Sequence, residues 1–220
     1  MSDLKHRLIQ AAKVDELAHK ALLTPNTQLD NAIKNSSANN IPPIAISALQ
    51  GQYLAIQAQL INAKEILEIG TLGGYSTIHF AQTGAHVTSL EINEHHKKVA
   101  EENCAGLDVD VILGPALETL PKLKEQGKVF DFVFIDADWG EQWEYYQWAV
   151  ELTRKNGLIY IDNVVRELLE SNPDLDEGKG SLLAKIGTET RAKATLIQTV
   201  SGHKEDVEDR VDGFVLAVVL

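Results

Sequence analysis

The chain has 220 residues, 44% of them hydrophobic and 24% charged, and 20 Lys and Arg stand against 32 Asp and Glu for a net charge of −12. That is enough chain to bury a substantial core, while the acidic balance argues against nucleic acid or an anionic membrane as partner, since their phosphates would be repelled. One cysteine, Cys104, excludes an intramolecular disulfide and zinc sites built on several cysteines.

The amino-terminal residues lack the apolar run of a signal peptide, and no stretch of about 18 apolar residues suggests a membrane helix, so a cytoplasmic location is expected. Residues 4–23 read as a helix, with Leu4, Leu8, Ala11, Ala12 and Leu22 near one stripe. A polar connection follows at 24–43, with a short helix over about 28–36, and a second clear helix spans about 44–62. The texture then changes to alternating short strands and helices. Strands are expected at 64–70, 86–91, 109–113, 130–136 and 157–162. Helices are expected at 74–83, 94–105, 116–124 and 141–153. That alternation predicts a mostly parallel sheet with helices on both faces. Beyond a loop over about 166–180, rich in glycine and charge, a helix at 181–192 and strands at about 194–200 and 212–220 are expected. The short connection makes these last two strands antiparallel, and the apolar run Phe214–Leu220 suits an interior strand. The division expected is a helical extension over 1–62 and one continuous core over 63–220.

Two constellations carry chemistry. Glu68-Ile69-Gly70-Thr71-Leu72-Gly73-Gly74-Tyr75-Ser76 lies between a strand and a helix, where glycine lets the backbone turn tightly against a ligand and the helix offers unpaired amides. Glu91 ends the next strand, 21 residues after Gly70, and a carboxylate there can accept both hydroxyls of a ribose. The second constellation is Asp136-Ala137-Asp138 after one strand and Asp162-Asn163 after the next. If the strands are parallel neighbours, their ends lie about 5 Å apart, and Asp136, Asp162 and Asn163 can converge on one cation. Three oxygen donors suit Mg²⁺ or Ca²⁺. The plain alternative is a linking turn and capping loop residues; the fall of both features at the ligand-binding edge of an open α/β sheet favours a site over it.

Together with Leu90-Glu91-Ile92 and Gly114-Pro115-Ala116-Leu117-Glu118, these segments run in order over residues 44–165. The set resembles the cation-dependent class I O-methyltransferases, the caffeoyl-CoA and catechol O-methyltransferase group. The resemblance implies a Rossmann-like seven-stranded sheet, mostly parallel with the last strand antiparallel, and an S-adenosylmethionine site at the glycine turn. By position it implies Glu68, Gly70, Thr71, Gly74 and Ser76 around the methionine part, Glu91 at the ribose and Ala116 at the adenine. Asp136, Asp162 and Asn163 would hold the cation, Mg²⁺ first with Ca²⁺ or Mn²⁺ as alternatives, and Asp136 would also lie near the methyl donor. The segment Ile44–Ser47 matches the family's stretch over the cofactor only loosely.

Many relatives carry a lysine shortly after the first metal aspartate. Here that position is Trp139, and no lysine occurs between Lys128 and Lys155. Asp138 and Glu141 are then the candidates to take the substrate proton, with Asp138 preferred as catalytic. Of the aromatic cluster Trp139, Trp143, Tyr145, Tyr146 and Trp148, only Trp139 is expected to wall the substrate, the others packing helix on sheet. His95 and His96 read as solvated, and His79 as packing on the helix after the glycine turn. A catechol-type small molecule is the expected substrate, and the amino-terminal helix with the apolar last strand suggests a homodimer. The rival readings are a cofactor-binding pseudoenzyme and an NAD-dependent dehydrogenase. The latter requires G-x-G-x-x-G, which Leu72 breaks.

Overall fold

The computed structural model describes residues 2–171, 181–201 and 211–220, with side chains from His6 onward. Three helices precede the first strand: α1 (Ser2–Leu22), α2 (Thr27–Ala38) and α3 (Ala48–Leu60). Asn26 caps α2 by accepting the amides of Gln28 and Leu29, and Ser47 caps α3 by accepting that of Gln50 at 3.1 Å. Alternation then begins: β1 (Glu65–Ile69), α4 (Tyr75–Ala81), β2 (His86–Glu91), α5 (Glu94–Asn103), β3 (Val109–Leu113), α6 (Ala116–Glu125) and β4 (Phe130–Ile135). A 3₁₀ turn (Trp139–Glu141) leads into α7 (Gln142–Leu152), followed by β5 (Thr153–Ile161), α8 (Val164–Ser171), α9 (Leu182–Ile186), β6 (Ala192–Val200) and β7 (Val211–Val219).

The seven strands lie in the order β3-β2-β1-β4-β5-β7-β6. Strands β1 to β5 pair in parallel, and β7 runs antiparallel to both its neighbours, β5 and β6. The apolar text of the strands follows from burial on two faces, because successive side chains point to opposite sides. Leu67, Ile69, Val133, Ile135, Ile159 and Ile161 join the core beneath α6 and α7. Ile66, Phe132, Phe134, Leu158 and Tyr160 join the core on the other face with Leu54 of α3 and Phe80 of α4. Phe132, Val133, Phe134 and Ile135 are all fully buried, each contributing about 1.5–3 kcal/mol. Polar substitution in β4 would therefore remove the centre of the molecule.

Register positions the functional edge. Ile69 pairs with both Leu90 and Ile135, and Ile135 pairs with Ile161. The residue after each of these, Gly70, Glu91, Asp136 and Asp162, therefore stands at one common carboxyl edge. Sheet order reverses between β1 and β4, and that switch point is where open α/β sheets bind ligands.

Several elements differ from expectation. The segment expected as loop from about 166 is helical as α8 up to Ser171; its Val164 and Val165 are buried, and that anchor outweighs the charged text beyond. Residues 172–180 of that expected loop lie outside the described residues. The helix expected at 181–192 is the short α9, and β6 begins at Ala192 because it pairs along the whole of β7. The α1 stripe is covered only in part: its Leu22 is 65% exposed, and Val14 and Leu17, outside the stripe, are 63% and 66% exposed. The apolar run of β7 is accounted for by its place between β5 and β6. Among the described residues no helix is long and apolar enough to cross a membrane.

Candidate active site

The common edge opens into a cavity of about 2110 Å³. Single-ligand pockets run about 300–1,000 Å³, so this one has room for two reactants. Its wall carries the glycine turn, with Gly70, Thr71, Leu72, Gly73 and Ser76, and an acidic group of Asp136, Asp138, Trp139, Asp162 and Asn163. Gly70 is required by geometry. Its φ is +98°, and a Cβ there would stand 2.0 Å from the carbonyl oxygen of Asp136. The turn thus presses directly against the end of β4. Ser36 of α2 packs on Gly73, where an added Cβ would meet its Oγ at 2.3 Å, and Asn103 Nδ2 donates to the Gly73 carbonyl at 2.8 Å. The segment from Ile41 to Ser47 closes the same cavity.

Glu91 is buried on the wall. Its carboxylate accepts the Leu72 and Asn93 amides, each at 2.8 Å, which fixes it while leaving lone pairs for further donors. His96, expected in solvent, is instead a wall residue with Nδ1 3.7 Å from Glu91 Oε1. Ala116, the first residue of α6, also lines the cavity.

Glu68 and Gly74 stand behind the wall rather than on it. Gly74 closes the turn as the α4 cap at φ +80°. Glu68 is fully buried and accepts hydrogen bonds from Ser76 Oγ at 2.5 Å, Ser89 Oγ at 2.6 Å and the Thr77 hydroxyl. Its role is to brace β1, β2 and α4 together. Burial pushes its carboxyl up from 4.5 to about 7, against the downward pull of the three hydroxyl donors. Between those values the folded chain holds a proton that the unfolded chain has lost. The associated stability is full below pH 4.5 and is lost as pH rises through about 7, corresponding to roughly 3 kcal/mol. Thermal unfolding of Glu68→Gln between pH 5 and 8 should show a flatter pH dependence than the parent. Parallel curves would remove Glu68 from that balance.

In the acidic group, Asp162 is buried and its main-chain amide donates to the Ile135 carbonyl. Gln50 Nε2 donates to Asp162 Oδ2 at 3.0 Å and to the Tyr160 hydroxyl at 3.2 Å, and Gln142 Nε2 donates to the Asp162 carbonyl at 3.0 Å. Burial, with Asp136 and Asp212 nearby, pushes the Asp162 carboxyl up to about 8. Asn163 adopts φ +58° and donates Nδ2 to Asp212 Oδ2 at 2.8 Å. A carboxylate only accepts, so this bond turns the amide oxygen of Asn163 away from Asp212. Asp212 also accepts the amides of Arg166 at 3.1 Å and Gly213 at 2.7 Å. Asp212 and Gln50 escaped sequence reasoning; the signal for Asp212 was an acidic residue opening a strand that returns antiparallel beside β5.

The donor set fits a hard divalent cation: two carboxylates and one amide oxygen, two of them oriented by hydrogen-bonded neighbours. Among the described residues no three or more His, Cys, Asp or Glu side chains gather as a metal cluster, and here the third donor is an asparagine. Asp138 Oδ1 caps the 3₁₀ turn by accepting the Glu141 amide at 3.1 Å. The Tyr145 hydroxyl lies 2.6 Å from Asp138 Oδ2 and 2.7 Å from Glu141 Oε2. Trp139 lines the cavity, whereas Trp143, Tyr146 and Trp148 pack in or against the core as expected. Tyr145 does both. His79 packs against α3, where a Cβ at Gly51 would touch its ring at 2.3 Å.

The family model described as O-methyltransferase matches residues 23–200. The chain belongs to the O-methyltransferase family. It is 41% identical over 216 residues to a catechol O-methyltransferase of Mycobacterium tuberculosis, covering 94% of each chain. It superimposes on an O-methyltransferase from Bacillus cereus solved in complex with SAH, with a TM-score of 0.86, 35% identity and coverage of 97% of this chain and 100% of that one. It also matches the O-methyltransferase TomG of Streptomyces achromogenes, solved with SAM, with a TM-score of 0.83, 32% identity and coverage of 96% and 97%. Membership in the O-methyltransferase family replaces the dehydrogenase reading.

Proposed function

We propose that this O-methyltransferase moves a methyl group from S-adenosylmethionine to one hydroxyl of a catechol-type small molecule, with a divalent cation, Mg²⁺ first, held by Asp136, Asp162 and Asn163. The observation that carries the reading is register: Gly70, Glu91, Asp136 and Asp162 end four adjacent strand positions and line one two-ligand cavity. The names of its relatives support it. S-adenosylmethionine supplies an electrophilic sulfonium methyl. A divalent cation held by Asp136, Asp162 and Asn163 would supply Lewis acidity that lowers the pKa of the hydroxyl to be methylated.

The chain's own residues do the rest. The bend at Gly70, with Thr71 and Ser76 beside it, receives the methionine part; Glu91 accepts the ribose hydroxyls, and Ala116 borders the adenine. Asp136 lies between the turn and Asp162, which places the donor beside the acceptor and turns a bimolecular encounter into a positioned one. Trp139 walls the aromatic ring. Asp138, Glu141 and Tyr145 bring three oxygens together around one hydroxyl proton. In this reading Asp138 accepts the substrate proton, with Glu141 and the Tyr145 hydroxyl beside it.

The test is incubation with S-adenosylmethionine, Mg²⁺ and a panel of catechols, with product mass as the readout. A singly methylated product that disappears with chelator and returns with added Mg²⁺ is expected, and Asp138→Asn should lower kcat by about a hundredfold. Turnover that survives chelation removes the cation, and absence of product from every catechol removes the substrate class.

A further inference from the structure

One cation beside the acidic group has no role in that scheme. Arg166, the third residue of α8, lines the cavity beside Asp136, Asp138, Glu141, Asp162 and Asp212. Lysines 20 and 34 also line it, from α1 and α2. Of these described cations, only Arg166 lies within three residues of a proposed ligand, Asn163. Its backbone is pinned, because its amide donates to Asp212 Oδ1 at 3.1 Å. Its side chain is placed too: the guanidinium carbon lies 5.2 Å from the centre of the Trp139 ring, the separation of a cation–π stack.

Among the described residues the Nε of Arg166 forms an ion pair with Glu170 Oε1 at 3.9 Å, beyond hydrogen-bond range. Its Nε is buried and has no hydrogen-bond partner among the described residues. A guanidinium stacked on an aromatic face keeps its N–H edge for a planar acceptor, and a carboxylate matches that edge in two-point fashion. The same stack makes Trp139 both ring wall and arginine support.

We propose that Arg166 selects anionic catechols: it receives the carboxylate of an ortho-dihydroxyaryl acid, of the benzoate or cinnamate type, whose vicinal hydroxyls face Asp136, Asp162 and Asn163. In a strongly acidic cavity an anionic substrate needs one such partner, and Arg166 is the one arginine among the described residues that line it. The inference rests on the catechol reading above and names the substrate class for that site.

The test measures the Kd of 3,4-dihydroxybenzoate and of its neutral amide by calorimetry, with Mg²⁺ and S-adenosylhomocysteine present, for the parent, Arg166→Gln and Arg166→Lys. S-adenosylhomocysteine affinity serves as the folding control, and methylation of both compounds is followed in parallel. The parent should bind the acid more tightly than the amide. Arg166→Gln should weaken the acid about ten- to a hundredfold, as expected for loss of a charge-assisted bond, and leave the amide within about twofold; Arg166→Lys should restore part of the difference. Equal weakening of acid and amide, or an acid preference that survives in Arg166→Gln, overturns the role of Arg166 while the catechol reading stands. If the parent neither binds nor methylates either compound, both fall together.

Discussion

Asp162→Asn should reduce methyl transfer by about a thousandfold or more, as expected when an interaction made at the reacting centre is lost from a preorganised site. The substitution keeps the shape of the side chain and an acceptor for Gln50, which donates to Asp162 Oδ2 at 3.0 Å. What it removes is the charge that faces Asp136 across neighbouring strand ends. The stability readout is separate from the activity readout. Mg²⁺ binds the folded parent and should raise its Tm with concentration, and the variant should lose that dependence. In chelator above about pH 8 its Tm should equal or exceed the parent's, because there the substitution removes the charge of one of three neighbouring carboxylates (Asp136, Asp162 and Asp212). Unchanged turnover in Asp162→Asn would take the cation out of the reaction.

Gly70→Ala should be the most damaging single methyl group in the glycine turn. The backbone there has φ +98°, and the new Cβ would meet the Asp136 carbonyl oxygen at 2.0 Å. Neither partner can yield cheaply, since one is the β1 exit and the other the β4 exit. A cost of about 3 kcal/mol or more in chemical denaturation is expected, from left-handed strain plus steric displacement, together with loss of S-adenosylhomocysteine binding. Gly84→Ala provides the control: its φ is +85°, and a Cβ there meets nothing within 4 Å. It should show the backbone cost alone, about 1 kcal/mol. Equal effects at the two positions would mean that the contact between turn and strand end contributes nothing.

The strands were legible because their side-chain period and their ends coincide. β2 and β3 fall at the expected limits, and β4 is apolar on both faces as an interior parallel strand must be. Once strands β1, β4 and β5 were ordered, Gly70, Asp136 and Asp162 had to share an edge. Less was legible where the determinant is a distant partner. Asp212 orients Asn163 across 49 positions of sequence, and Gln50 reaches Asp162 across 112; no local pattern marks either pairing. The resemblance implies Glu68 at the cofactor, and the sequence does not reveal the three hydroxyls that its carboxylate meets behind the cavity wall. α8 was hidden because charged text follows its two buried valines, and the stack of Arg166 on Trp139 depends on that helix existing.

The most direct measurement is an anomalous difference map from crystals grown with Mn²⁺ and S-adenosylhomocysteine. The account predicts one strong peak held jointly by Asp136, Asp162 and the Asn163 amide oxygen, beside the sulfur of the ligand seated at Gly70. A peak held by other residues, or none at that strand edge with the ligand bound, would contradict it.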